Sequence, residues 1–100
     1  MSNDVVRNPE THRFELVVDG HLAFVDFRET PQEIEYIRTF VPDELRGQGI
    51  AGKLVKAAIA YANASHLLIR PTCPVFAAYV RKTPELHTRL ADGVREALGI

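Results

Sequence analysis

Apolar residues recur at Ile50, Ala51, Leu54, Val55, Ala58, Ile59 and Ala62, while Lys53 and Lys56 fall between them. That spacing follows the i, i+3, i+4 rule for one buried helix face and predicts a helix from the Arg46–Ala51 turn to about Ala64. Upstream the period changes. Residues 13–18 and 21–28 flank Asp19-Gly20, a strong short hairpin signal, and so read as antiparallel neighbours. A short strand over residues 5–7 precedes them, ended by the Asn8-Pro9 turn signal. After the Thr30-Pro31 break, residues 33–41 contain Ile34, Tyr36, Ile37, Thr39, Phe40 and Val41, which favours a third long strand that Pro42 stops. Alternation puts Glu33 and Glu35 on one face of it.

Beyond the helix, residues 66–69 read as a short strand. Pro74 suits the first turn of a helix reaching about Lys82. Thr83 and Pro84 have the types of a cap and first position for a further helix, and Asp92-Gly93 marks a break before the last residues. The order of elements predicts an α+β layer, a mainly antiparallel central sheet of about four to five strands with two to three packed helices.

One hundred residues suit a single domain over residues 1–100, too small for a two-domain dehydrogenase. With 46% hydrophobic residues and a net charge of −1, the composition is that of a soluble globular protein. No secretory h-region or long apolar run is present. A single cysteine excludes an intramolecular disulfide, and His12, His21, His66 and His87 are too scattered for zinc spacing. These features favour the cytoplasm, with no membrane partner.

The turn between the third strand and the helix carries the candidate chemistry. The first amides of a helix lack intrahelical acceptors and sit at the positive end of its dipole, so a diphosphate can accept several of them at once. Gly47 and Gly49 let such a group approach the backbone, and Arg46 adds a cation. Gly47, Gly49 and Gly52 fit the G-x-G-x-x-G dinucleotide fingerprint, but no acidic residue occurs between Leu45 and Pro84 to meet a ribose. Gly47, Gly52 and Lys53 fit G-x-x-x-x-G-K, yet Leu54 stands where a magnesium-binding hydroxyl belongs. A third pattern, Arg/Gln-x-x-Gly-x-Gly/Ala, is met by Arg46, Gly49 and Ala51.

That third pattern resembles the acetyl-CoA pyrophosphate loop of the GCN5-related N-acetyltransferases. The run from Val41 to Ala51, the following helix and Leu67-Leu68-Ile69-Arg70-Pro71-Thr72-Cys73-Pro74 resemble the short, single-domain members, over roughly residues 5–88. Short members often carry a His at the position of Arg38, and this chain departs from them there. The scattered histidines lead to no expected metal, and the resemblance implies acetyl-CoA as cosubstrate. It implies a diphosphate on Arg46, Gly47, Gln48, Gly49, Ile50 and Ala51, and a pantetheine arm along the strand edge near Phe40 and Val41. It also implies that Tyr79 protonates the departing thiolate, against the alternative of a tyrosine packed on the core. Cys73, between a strand end and a helix start, is either a transient acyl acceptor or a buried pocket wall. Glu35 is the candidate base, with direct transfer through solvent as its alternative.

Charge is unevenly spread. Residues 1–44 hold ten acidic and four basic residues, whereas residues 45–84 hold six basic and none acidic. The basic half suits the phosphates of CoA and the acidic half suits a cationic amine acceptor; solvated faces of unequal charge explain the same numbers. A non-catalytic CoA-binding sensor and a nucleic-acid binder are the competing functions. The pI near 6.4 and the absence of basic runs interleaved with aromatics weigh against nucleic acid. The acceptor, whether protein, peptide or small molecule, is unspecified, and a homodimer that completes an open cleft fits such a short chain.

Overall fold

Asp19 and Gly20 both take positive φ, 51° and 78°, the backbone of the tight hairpin turn whose twist matches its flanking strands. The computed structural model describes residues 4–100. In it this turn joins β2 (Arg13–Val18) to β3 (His21–Glu29), paired from Val18↔His21 to Arg13↔Asp26. β1 (Val6–Asn8) lies antiparallel beside β2, and β4 (Glu33–Phe40) lies antiparallel beside β3. The long helix α1 (Ile50–Ala64) then carries the chain across to β5 (Leu68–Pro71), which pairs with β4 in parallel. The sheet order is β1-β2-β3-β4-β5, mixed but mainly antiparallel.

Inward positions follow the alternation of each strand. Phe14, Leu16, Val18, Ala23, Val25, Phe27, Ile34, Tyr36 and Ile69 are buried on one face. Against them α1 lays Ile50, Leu54, Val55, Ala58, Ile59 and Ala62, and α2 (Pro74–Arg81) lays Phe76 and Val80. Lys53 and Lys56 stand exposed on the far side of α1, as its periodicity requires. One irregularity changes which residues face outward. Phe27 pairs with Tyr36 and Asp26 with Arg38, so Ile37 is an extra residue, a β-bulge in β4. The bulge flips the parity of the strand. Glu33, Glu35, Arg38 and Phe40 therefore share the outer face, with Arg13, Glu15, Phe24 and Asp26 of the neighbouring strands.

The C-terminal third departs from the expected boundaries. His66, expected in a strand, has φ 57° and closes the turn after α1, so β5 starts at Leu68 and runs to Pro71. Thr83 and Pro84 do take the N-cap and first positions of a helical element, but Pro84–Thr88 is a 3-10 turn rather than an α-helix, and the Thr83 hydroxyl makes no cap bond, donating back to the Tyr79 carbonyl at 2.7 Å. Residues 89–91 then run along the free edge of β5, with Ile69 N–H donating to Arg89 O at 2.8 Å and Ala91 N–H to Ile69 O at 2.9 Å. Gly93, at φ 80°, opens a short helix α3 (Val94–Leu98) where only a break was expected. No helix among the described residues is long and apolar enough to cross a membrane.

Tyr36 is fully buried. Its ring stacks on Phe76 at 4.3 Å between centroids, and its hydroxyl donates to the Ala58 carbonyl of α1. Burial pushes the phenol far above its ordinary range, so it stays protonated and a donor. Replacing Phe76 by Ala should cost about 3–5 kcal/mol in urea unfolding, whereas Tyr36→Phe, which removes only the hydroxyl, should cost about 1 kcal/mol. Equal losses for the two would show that the hydroxyl, not the stacked pair, dominates this part of the core.

Candidate active site

β4 and β5 pair only from Glu33↔Leu68 to Tyr36↔Pro71. The Cys73 N–H then donates to the Tyr36 carbonyl at 2.8 Å, and beyond that bond the two chains part. Across the opening the Thr39 hydroxyl and the Cys73 sulfur lie 3.4 Å apart. Below it a cavity of about 470 Å³ is lined by Thr39, Phe40, Val41, Pro42, Asp43, Glu44 and Arg46. Pro42 ends the strand, and Asp43–Leu45 form a single 3-10 turn that buries Leu45 and delivers the chain to the helix start.

The loop at that helix start has the backbone its glycines permit. Gly47 has φ 80° and Gly49, the N-cap of α1, has φ 70°. A Cβ at either position would meet no atom within 4 Å, so within the protein their requirement is conformational rather than steric. No side chain caps α1. Among the described residues, no protein group accepts from the amides of residues 47–52, because the first bond of the helix is Lys53 N–H to Gly49 O at 3.2 Å. Open amides at a helix N-terminus fit a phosphate group.

Side-chain charge contributes less to this cradle than the sequence suggests. Arg46 is exposed, and its Nε is paired with Asp43 Oδ1 at 3.0 Å. Gln48 donates to the Glu44 carbonyl at 3.4 Å. Asp43 and Glu44 both line the cavity, and Lys53 and Lys56 are exposed on the far side of α1, so the main-chain amides are the principal donors the loop could offer an anion.

The three candidate catalytic residues are not gathered at one point. Cys73 is 3% exposed and is the N-cap residue of α2. Tyr79 follows six positions later, roughly 9 Å along the helix and about 240° around it. It is half-buried against the core, its hydroxyl has no protein partner among the described residues, and neither it nor Cys73 lines the cavity of the loop. Glu35 lies on the outer face, where the Thr72 hydroxyl donates to it at 2.6 Å. It borders a second cavity of about 300 Å³, with Arg70, Pro71, Thr72, Val94 and Leu98 among its walls. Beside it Glu33 receives Arg70 through two bonds, at 2.7 and 3.2 Å. Thr39 and Thr72 are the residues that sequence reasoning missed. Each is a hydroxyl next to a residue already singled out, Phe40 and Cys73, and only the bulge and the parting of the strands reveal their contacts.

A family model described as GCN5-related N-acetyl-transferase matches residues 13–90 of the chain, from the start of β2 through the loop, α1, β5 and α2 to the segment that edges β5.

The Arg70 hydrogen bonds hold the Glu33 carboxyl below its ordinary value against the opposing effect of desolvation. A carboxyl depressed in the folded state contributes stability that is complete above its unfolded value and is lost as pH falls through the folded one. Glu33→Gln should therefore flatten the acid side of the stability curve. Urea midpoints at neutral pH and near pH 3 test this: the variant should lose less on acidification than the wild type, and an equal loss would remove Glu33 from the account.

Proposed function

This chain belongs to the GCN5-related N-acetyltransferase family, and from that premise we propose that it transfers an acetyl group from acetyl-CoA to the nitrogen of a primary amine. The observation that carries the reading is the row of open amides over residues 47–52 at the start of α1. On this reading the amides of Gly47, Gln48, Gly49, Ile50 and Ala51 hold the diphosphate, and Arg46 turns from Asp43 to the anion. The strand edge at Phe40 and Val41 holds the pantetheine arm. Acetyl-CoA supplies an activated thioester carbonyl. A main-chain N–H at the opening between β4 and β5 donates to that carbonyl oxygen as negative charge develops there, the larger electrostatic contribution in acyl transfer.

The amine nitrogen forms a bond to the carbonyl carbon as the carbon–sulfur bond breaks. Tyr79 gives its phenolic proton to the departing sulfur, and the surplus proton of the amine leaves through solvent to Glu35. Cys73, buried against Thr39, walls the opening and takes no acyl group. A second reading, a CoA-binding module without turnover, draws support from one observation: Tyr79 does not line the cavity of the loop.

Heteronuclear NMR with acetyl-CoA and with CoA tests the cofactor. Saturable shifts over residues 47–51 are expected, absent in an Arg46→Ala, Gly49→Glu double variant; no binding at millimolar ligand would end the acetyltransferase reading. Tyr79→Phe should lower kcat by about 10²–10⁴-fold with acetyl-CoA affinity unchanged. Cofactor binding with no acetylation of any amine tested would select the binding-module reading.

A further inference from the structure

The outer face of the sheet carries a side-chain cluster that the reaction above leaves unused. Asp26 of β3 stands between Arg13 of β2 and Arg38 of β4, its partners in register on either side. Its Oδ1 accepts from Arg13 Nε at 2.8 Å and its Oδ2 from Arg38 Nε at 3.2 Å. Both guanidinium groups also lie over the ring of Phe24, at 3.8 and 5.2 Å from its centroid. One carboxylate and one aromatic face thus fix two guanidinium groups side by side.

Each arginine is held through Nε alone, and among the described residues no acceptor is bonded to the terminal nitrogens of either. The single Asp26 carboxylate divides its two oxygens between two guanidinium groups, so each is paired through one oxygen only. Glu15, opposite Phe24 on the same face, has its oxygens turned to the Asn8 amide and the Thr11 hydroxyl. Oriented guanidinium forks with unused terminal donors match the geometry of a carboxylate or a phosphate ester, which each can receive in a bidentate manner. The site is accessible, since the Arg38 side chain is 61% exposed.

Position decides which molecule brings the anion. Arg38 is the first residue after the Ile37 bulge and the neighbour of Thr39, so it sits about one strand step, roughly 3.3 Å, from where β4 and β5 part. The diphosphate loop lies eight residues further along the chain and on the far side of the cavity lining. Phe40, 44% exposed and 5.3 Å from the Phe24 ring, forms an apolar floor between the arginines and that cavity. We infer that Arg13 and Arg38 form the subsite for an anionic group on the acceptor, so that the acceptor is an amine carrying a carboxylate or phosphate ester a few bonds from its nitrogen. This rests on the acetyltransferase reading; the ribose phosphate of CoA is the other source of the same chemistry.

The test is a titration followed through the arginine Nε–H and backbone amide signals, with O-phosphoethanolamine, β-alanine, inorganic phosphate, butylamine and CoA in separate samples. The three anions should move the signals of Arg13, Asp26 and Arg38 saturably, and butylamine should not. Arg38→Gln and Arg13→Gln should each weaken that binding about ten- to a hundredfold. In acetylation assays they should raise KM for the anionic amines by a similar factor, leaving KM for acetyl-CoA unmoved. Using two variants guards against one that fails to fold, and well-dispersed spectra identify the sound one. Binding of the anions unaltered by both substitutions, or CoA affinity falling with each of them as much as that of the anions, would overturn the acceptor subsite. CoA failing to move residues 47–51 would instead overturn the acetyltransferase reading, whatever the arginines do.

Discussion

Tyr36 ties together every part of the molecule that shapes the site. Its hydroxyl reaches α1 at Ala58, its ring lies on Phe76 of α2, and its carbonyl accepts the Cys73 N–H that prolongs the β4–β5 pairing by one bond. Because all three links meet on a fully buried residue, the point at which the strands part is fixed by the core itself. A buried phenol without a partner would be costly, and the Ala58 carbonyl supplies one. The opening above Thr39 and Cys73 is therefore an extension of the hydrophobic core, not a property of the loop that follows it.

That dependence explains which parts of the fold were legible in the sequence. The hairpin at Asp19-Gly20, the apolar stripe of α1 and the glycine pair before it are local signals, written in consecutive residues, and the structure reproduces them closely. The bulge at Ile37 has no such signature: a run of Ile, Arg, Thr and Phe reads as uninterrupted strand, and only pairing with Asp26 and Phe27 shows that one residue is extra. From that point simple alternation assigns Arg38, Thr39 and Phe40 to the wrong faces. The same holds at the C-terminus. Thr83 has the residue type of a helix cap, but its hydroxyl finds the Tyr79 carbonyl, a competing local bond that no periodicity announces.

Charge was legible in total and misleading in detail. The absence of acids between Leu45 and Pro84 suggested a basic cradle, yet the cavity draws Asp43 and Glu44 from the residues just before that stretch, and Arg46 is paired to Asp43. What remains to meet an anion is the backbone, whose donors do not appear in any charge count. The candidate site thus rests on dihedral angles at Gly47 and Gly49 more than on side chains, whereas the paired arginines of the outer face owe their orientation to a carboxylate two strands of register could reveal and sequence order could not.

The strip formed by residues 89–91 bears on how the chain behaves at high concentration. By bonding to Ile69 it closes the far edge of the sheet, and at the near edge β1 is only three residues long. An edge covered in this way offers little template for strand addition by neighbouring molecules, whereas β1 covers only residues 13–15 of β2 and leaves residues 16–18 without a partner on that side among the described residues. The connection that follows α2 thus guards the β5 edge alone against strand addition, a protection dependent on two backbone hydrogen bonds.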